Sequence, residues 1–409
     1  MDVPIAPAPA ATPVVVGGLS ERAQARRETI RQLLKRPAFL IGIVVLLVLC
    51  QLPFACRRYK LRKLNAAIQQ LNTRRNPAPS EFAEYKGVVH VHSFLGGHSS
   101  GTFSEIISAA QKNRLDFVIM TEHTEKDFDT AAMTLQGMHG GVLFVNGSET
   151  SVENGDRLLK LPQDVSIVAY PEEFKNWEAP GLNGVEVYNV YSNTRRANPL
   201  VAFFDVLWSH RAYPDLLFGL YFERPTESLK KWDQALTRRK LTATGGNDAH
   251  SNIGVSLRDS AGKTLAGIQL DPYETSFRLV RLHAITNDAK VLTQEDLLDA
   301  INSGHCFIGF DLFGDSSGFK FEAKTPTKTV MQGDEIPLEN DTRLVVQTPA
   351  ASRILLFKDG SVILNESGIT NKEITVTERG VYRVEVYLPQ IERIIGEKPW
   401  IISNPIYVR

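Results

Sequence analysis

The chain has 409 residues, room for two or three domains, and its 43% hydrophobic and 22% charged content is that of a folded globular protein. Forty-six Lys and Arg balance 46 Asp and Glu, so bulk charge gives no reason to expect a nucleic-acid partner. The cysteines Cys50, Cys56 and Cys306 imply neither a disulfide framework nor a thiolate metal site.

Residues 1–36, with PIAPAPAATP near their start and basic from Arg22, read as a disordered N-terminal tail. Next comes PAFLIGIVVLLVLCQLPFAC, Pro37 to Cys56, with no charge between Arg36 and Arg57. About 20 apolar residues suffice to cross a bilayer as a helix. The segment lacks the polar face of a core helix and starts late for a signal peptide, so it is predicted to be a single retained membrane span. Basic residues flank it on both sides, and the positive-inside rule gives no clear vote. A short N-terminal tail favours the inside, which puts the rest of the chain outside the cytoplasm. Residues 57–79, with YKLRKLNAAIQQLNT, place Leu and Ile at helical spacing and read as a juxtamembrane helix or stalk. RNPAPSEF breaks it, so the globular part is expected to begin near Ser80 and to survive removal of everything before it.

From Gly87 the pattern is strand, loop, helix, repeated. VVHVH opens it, with His90 and His92 alternating with valines so that both imidazoles take one face of a strand. A buried histidine serves either as a hydrogen-bonded core residue or as a metal ligand. A third, His98, follows a Gly-Gly turn. Thr102 and Glu105 form a capping box that opens the helix FSEIISAAQKNR. LDFVIMTEH runs out at His123, GVLFVNGSE at Glu149, DVSIVAY at Tyr170 and NGVEVYN at Asn189. After a long helical region, LTATGGNDAH ends on Asp248 and His250, and LVRLHAIT and the capped helix TQEDLLDAINSG follow.

This alternation predicts an α/β protein with a parallel sheet. Ionisable groups just past the C-terminal ends of at least four strands fit a closed, barrel-like sheet, where such ends converge on one face. The collected donors are His90, His92, His98, His123, Glu149, Asp248 and His250. Imidazoles mixed with carboxylates suit zinc, manganese or iron. Seven donors exceed one tetrahedral ion, so two or more divalent metals are expected. His139, His210, His283 and His305 have no such placement and read as surface or core residues.

HVH, a histidine six residues on, TEH, GSE and NDAH, in this order over about Gly87 to Phe310, resemble the polymerase and histidinol phosphatase (PHP) superfamily. The resemblance implies a distorted (β/α)7 barrel and a centre of up to three ions. It assigns His90, His92, Glu149 and Asp248 to one ion, and His98, His123 and His250 to another. Where the superfamily commonly has histidines for a middle ion, this chain has Tyr170 before Pro171 and Asp156 in NGDRLL. FERPTESLKKWDQAL, TGGNDAHS, SFRLVR and PWIISNPIYVR are also similar to the carbaryl-hydrolase-like branch.

From Ser316 to Arg409 short alternating segments, with KDGS as a hairpin signal, predict a C-terminal β-sandwich-like domain after a metallohydrolase domain over 80–315. The expected function is metal-dependent hydrolysis of a small phosphoester or a carboxylic ester, carbamate or amide. Asp248 or Glu149 would accept the proton, and Tyr170 would donate to a substrate oxygen. Arg195, Arg196, Arg224, Arg278 and Arg281 are candidate phosphate contacts. The alternative is a non-catalytic module whose metals stabilise a binding scaffold.

Overall fold

One long helix, Pro37–Arg74, carries the apolar segment. In this computed structural model the described residues are 17–34, 36–77, 82–258, 264–287 and 291–409, and among them this is the one helix long and apolar enough to cross a membrane. The tail expected before residue 17 lies outside the described residues. Gly17–Leu34, expected to be disordered, is a helix instead. Its Ala, Arg, Gln, Glu and Leu residues are strong helix formers, a property that basic composition alone conceals.

The chain divides into Met1–Arg57 and Arg58–Arg409. In the second body the helix changes character. Leu61, Leu64, Ile68 and Leu71, at helical spacing, are buried in the main hydrophobic core. The expected stalk is therefore part of the folded body. Its end is tied down further, because Arg75 pairs with Asp315 at 3.0 Å and the Asn76 amide donates to the Pro349 carbonyl.

The rest is a mixed α/β arrangement whose described residues form a 14-stranded sheet, a 6-stranded sheet and a two-stranded pair. Ala83–Val91, Phe117–Met120 and Val142–Val145 run parallel, as alternation with helices predicts. Arg281–Thr286, however, lies antiparallel against Ala83–Val91, and Cys306–Gly309 lies antiparallel against it in turn. Element order along a chain does not fix strand direction. Cys306–Gly309 then pairs with Pro399–Ser403, so the sheet runs unbroken across the boundary expected at residue 316. The C-terminal strands include two long ones, Arg343–Lys358 and Ser361–Thr375. The two-residue turn Asp359-Gly360 joins them, both residues at positive φ, as KDGS predicts. Both capping boxes are present, Thr102 with Glu105 and Thr293 with Asp296.

The smaller sheet orders Thr242–Gly246, Gly184–Asn189, Ser166–Ala169, Arg157–Lys160, Ser148–Ser151 and Glu122–His123. Arg157–Lys160, which the sequence did not announce, is antiparallel to both its neighbours. Beyond Gly246 the chain bonds to the first strand of the larger sheet. The Asn247 amide donates to the Val89 carbonyl at 2.9 Å, the Ala249 amide to His90 at 3.0 Å, and the His92 amide to Ala249 at 3.0 Å. His283 is a core residue in the larger sheet, 2.7 Å from Glu84 and 3.1 Å from the Ser316 hydroxyl. Burial disfavours its charge, but Asp311 and Glu84 outweigh burial and raise its pKa to about 9.

Candidate metal centre

Ala83–Val91 is not a regular strand where it meets the site. Its register against Phe117–Met120 slips between Val88 and Val91, and His90 sits at φ 66°. This bulge, rather than simple alternation, brings the His90 ring centroid to 5.0 Å from that of His92. Tyr170 at φ 52° and Asp248 at φ 49° share the left-handed conformation. Such backbone costs about 1–3 kcal/mol per non-glycine residue and concentrates at functional sites. Three instances among residues facing one another mark this place. Gly246 makes room for it: a Cβ there would lie 1.7 Å from Glu186 Oε1 and 2.9 Å from the His90 Cβ.

Two carboxylates organise the donors. Glu149 Oε2 lies 3.3 Å from His90 Nε2, 3.6 Å from His92 Nε2 and 3.3 Å from His123 Nδ1. Asp248 Oδ1 lies 3.5 Å from His90 Nε2, 3.3 Å from His92 Nε2 and 3.3 Å from His250 Nδ1. Four tetrahedral bonds of about 2.0–2.1 Å require donor separations of about 3.3–3.4 Å, and the four histidine–carboxylate separations among His90, His92, Glu149 and Asp248 lie close to that. His92 Nε2 and Asp248 Oδ1 are buried without a hydrogen-bond partner. Such groups are costly unless something satisfies them, and a cation does so for both. The residues fit a metal. The described residues form two donor groups, His90 with His92 and Glu149, and His92 with His123 and His250. The His92 ring stacks on His123 at 4.4 Å and on His250 at 4.2 Å. His98 is exposed, its ring edge-on to His123 at 4.9 Å, outside both groups.

The remaining oxygen of each carboxylate is held by the protein. Arg157 Nη1 donates to Glu149 Oε1 at 2.8 Å. The Tyr170 hydroxyl donates to Asp248 Oδ2 at 2.8 Å, and Asn189 Nδ2 reaches the same oxygen at 3.2 Å. Glu186 Oε1 lies 2.7 Å from His90 Nδ1, and its Oε2 accepts from Asn189. A carboxylate on the far nitrogen of a ligand histidine fixes ring orientation and leaves the near nitrogen to the metal.

Electrostatics agree with this arrangement. Burial works against charge on His90, yet Glu186, Asp248 and Glu149 raise its pKa well above the ordinary value. Glu149 is disfavoured by burial, but the His90 hydrogen bond and charge bring its pKa down to about 2. Burial lowers His92 to about 3 and His123 to about 4, so both are neutral near pH 7 with lone pairs free to ligate. The field that favours a proton on His90 also favours a dication.

The structure gives partners to several residues singled out in the sequence. The Tyr170 hydroxyl gives its one proton to Asp248 Oδ2 in this structure. Burial and the charges of Asp248 and Glu149 push its pKa far up, which keeps the phenol neutral. Asp156 spends both carboxylate oxygens on the Lys175 and Asn176 amides, each at 3.0 Å, and so folds a loop. Of the candidate arginines, Arg196 pairs with Glu172, Arg224 with Glu385, Arg278 with Asp215 and Glu274, and Arg281 with Asp311. Arg195 alone among them lines the cavity over the donors. Sequence reasoning missed Arg157, Glu186 and Asn189. The one available signal was a carboxylate and an amide within the otherwise apolar strand NGVEVYN.

The cavity measures about 620 Å³ and is lined by His98, His123, Glu149, Asp248 and His250 together with Arg157, Tyr170 and Arg195. Replacing Tyr170 with Phe frees Asp248 Oδ2 from its shortest hydrogen bond. Losing such a partner typically costs about 10- to 100-fold in metal affinity or activity. Chelator competition on Tyr170→Phe is expected to show weakened metal binding in a folded chain. Unchanged affinity with turnover about 10²- to 10³-fold lower would return the hydroxyl to an oxyanion-donor role.

No family model, no curated protein and no solved structure matches this chain.

Proposed function

We propose that the chain is a membrane-anchored, metal-dependent hydrolase of the PHP type. The observation that carries this reading is the spacing of the His90, His92, Glu149 and Asp248 donor atoms, with two of those atoms buried and unsatisfied. The superfamily's distorted barrel is supported by the bonds of residues 247–249 to the first strand, and by parallel pairing of Glu122–His123 with Ser148–Ser151 at the other side of the site.

His90, His92, Glu149 and Asp248 would hold one ion, and His123 and His250, with His98 at the rim, a second of zinc, manganese or iron. When bound, such ions lower the pKa of a water molecule and polarise the bond under attack. The protein's own groups do the rest. Glu149 and Asp248 are the carboxylates near enough to accept a proton, while Arg157, Tyr170, Asn189 and Glu186 keep them and His90 in place. Arg195 and Arg157 supply positive charge to the cavity wall, which suits a phosphoester. A carboxylic ester, carbamate or amide also fits a cavity of this size. A purely structural metal site is closed by its ligands, whereas Glu149, Asp248, His98, His123 and His250 line an open cavity, and that favours hydrolysis over a metal-stabilised scaffold.

Chelation tests the proposal. The parent chain is expected to cleave a chromogenic phosphoester, carboxylic ester, carbamate or amide, to lose this activity when stripped, and to recover it with zinc, manganese or ferrous iron. Hydrolysis that persists undiminished after complete metal removal would refute it.

A further inference from the structure

Pro199–Ser209, with sequence PLVAFFDVLWS, is a helix turned inside out. Its inward face buries Asp205, 0% exposed, and Ser209, 1% exposed. Its outward face shows Leu200, Phe203 and Leu207, which are 66%, 60% and 68% exposed and stand three and four residues apart along one stripe. A helix on a water-facing surface has the opposite polarity, and a contiguous apolar stripe marks an interaction surface. The Asp205 carboxylate accepts from the Tyr221 hydroxyl, a bond that helps hold the helix with this face outward.

Covalent connectivity bears on the environment that the stripe meets. Arg58 is the second residue after Cys56, where the apolar span ends, and a helix rises only about 1.5 Å per residue. The Arg58 guanidinium donates to the Trp208 carbonyl and lies 6.0 Å from the centre of the Tyr213 ring. The last turn of Pro199–Ser209 is thus bonded to the residue where the chain leaves its apolar span. Tyr59, Lys60 and Arg62 beside Arg58 are exposed. This mixture of aromatic and basic side chains belongs at a headgroup layer.

We infer that Pro199–Ser209 is a second membrane contact, lying in the lipid interface with Leu200, Phe203 and Leu207 inserted among the acyl chains. An apolar helix face of this kind sits about 5–10 Å into the headgroup and acyl boundary. The inference rests on the anchor reading of Pro37 to Cys56, and is independent of the metal chemistry. It gives the folded body a fixed face toward the bilayer, where a single flexible tether would leave it free to tumble.

The test uses the full chain, with Cys50 and Cys56 replaced by Ala, in vesicles of phosphatidylcholine and phosphatidylglycerol in equal parts. A nitroxide label is placed by Leu207→Cys, by Val45→Cys within the span, or by Val362→Cys, an exposed site on the C-terminal hairpin. Relaxation by oxygen, which enriches in lipid, is compared with relaxation by a water-soluble nickel chelate. The labels at 207 and 45 are expected to respond more to oxygen, and the label at 362 more to nickel. A label at 207 that behaves like the one at 362, while 45 stays in lipid, overturns the inference and spares the anchor. Shielding of 207 from both reagents overturns it in favour of a protein partner. A label at 45 in water removes the anchor, and the inference with it.

Discussion

Asp248→Ala is expected to lose bound metal and to bring hydrolysis down to background. Asp248 Oδ1 is the point on which His90, His92 and His250 converge, and no neighbouring carboxylate can replace it, because Glu149 Oε2 already faces His90, His92 and His123. Removing one member of a buried charged set costs about 3–5 kcal/mol, so the alanine chain should also melt earlier. Asp248→Asn keeps the shape and a partner for Tyr170 while removing the charge, and separates loss of chemistry from loss of fold. A folded Asp248→Asn chain with full metal and full turnover would show that this carboxylate does not carry the reaction.

A chain beginning at Ser80 is expected not to fold, whereas one beginning at Arg57 should. Leu61, Leu64, Ile68 and Leu71 are all buried in the main core. Each such side chain contributes about 1.5–3 kcal/mol, together about 6–12 kcal/mol as an upper bound. That is the size of a typical domain's whole stability, about 5–15 kcal/mol. The Arg75–Asp315 pair and the Asn76–Pro349 bond go with them. Thermal melts of the two fragments read the difference. Equal melting temperatures would mean that the helix past Arg57 is a stalk after all.

What could be read from the sequence follows from how each residue contrasts with its surroundings. His90, His92, His123, Glu149 and Asp248 stand out because polar groups at the ends of apolar strands need a reason, and the structure brings them together with His250. Two supports of the site did not stand out. Glu186 is one carboxylate within a strand, and only folding reveals that its partner is His90, 96 residues away. Arg157 lies on a strand too short to show periodicity. The His90 bulge was hidden for another reason: alternation in HVH predicts a regular strand, and the deviation comes from pairing with neighbours. Helical spacing in Leu61, Leu64, Ile68 and Leu71 predicted a helix with an apolar face, but a face does not name what covers it. Sheet continuity from Cys306–Gly309 to Pro399–Ser403 depends on a pairing nearly a hundred residues apart, beyond the reach of local patterns.

Elemental analysis of the full-length chain, expressed with zinc, manganese and iron supplied and then dialysed, tests the central claim most directly. Donors built around Glu149, Asp248 and the four histidines His90, His92, His123 and His250 call for about two transition-metal ions per chain. The same chain with Asp248→Asn should hold markedly less. A parent chain that is folded and free of metal would contradict the account at its root, since the buried, unpartnered His92 and Asp248 atoms would then need another explanation.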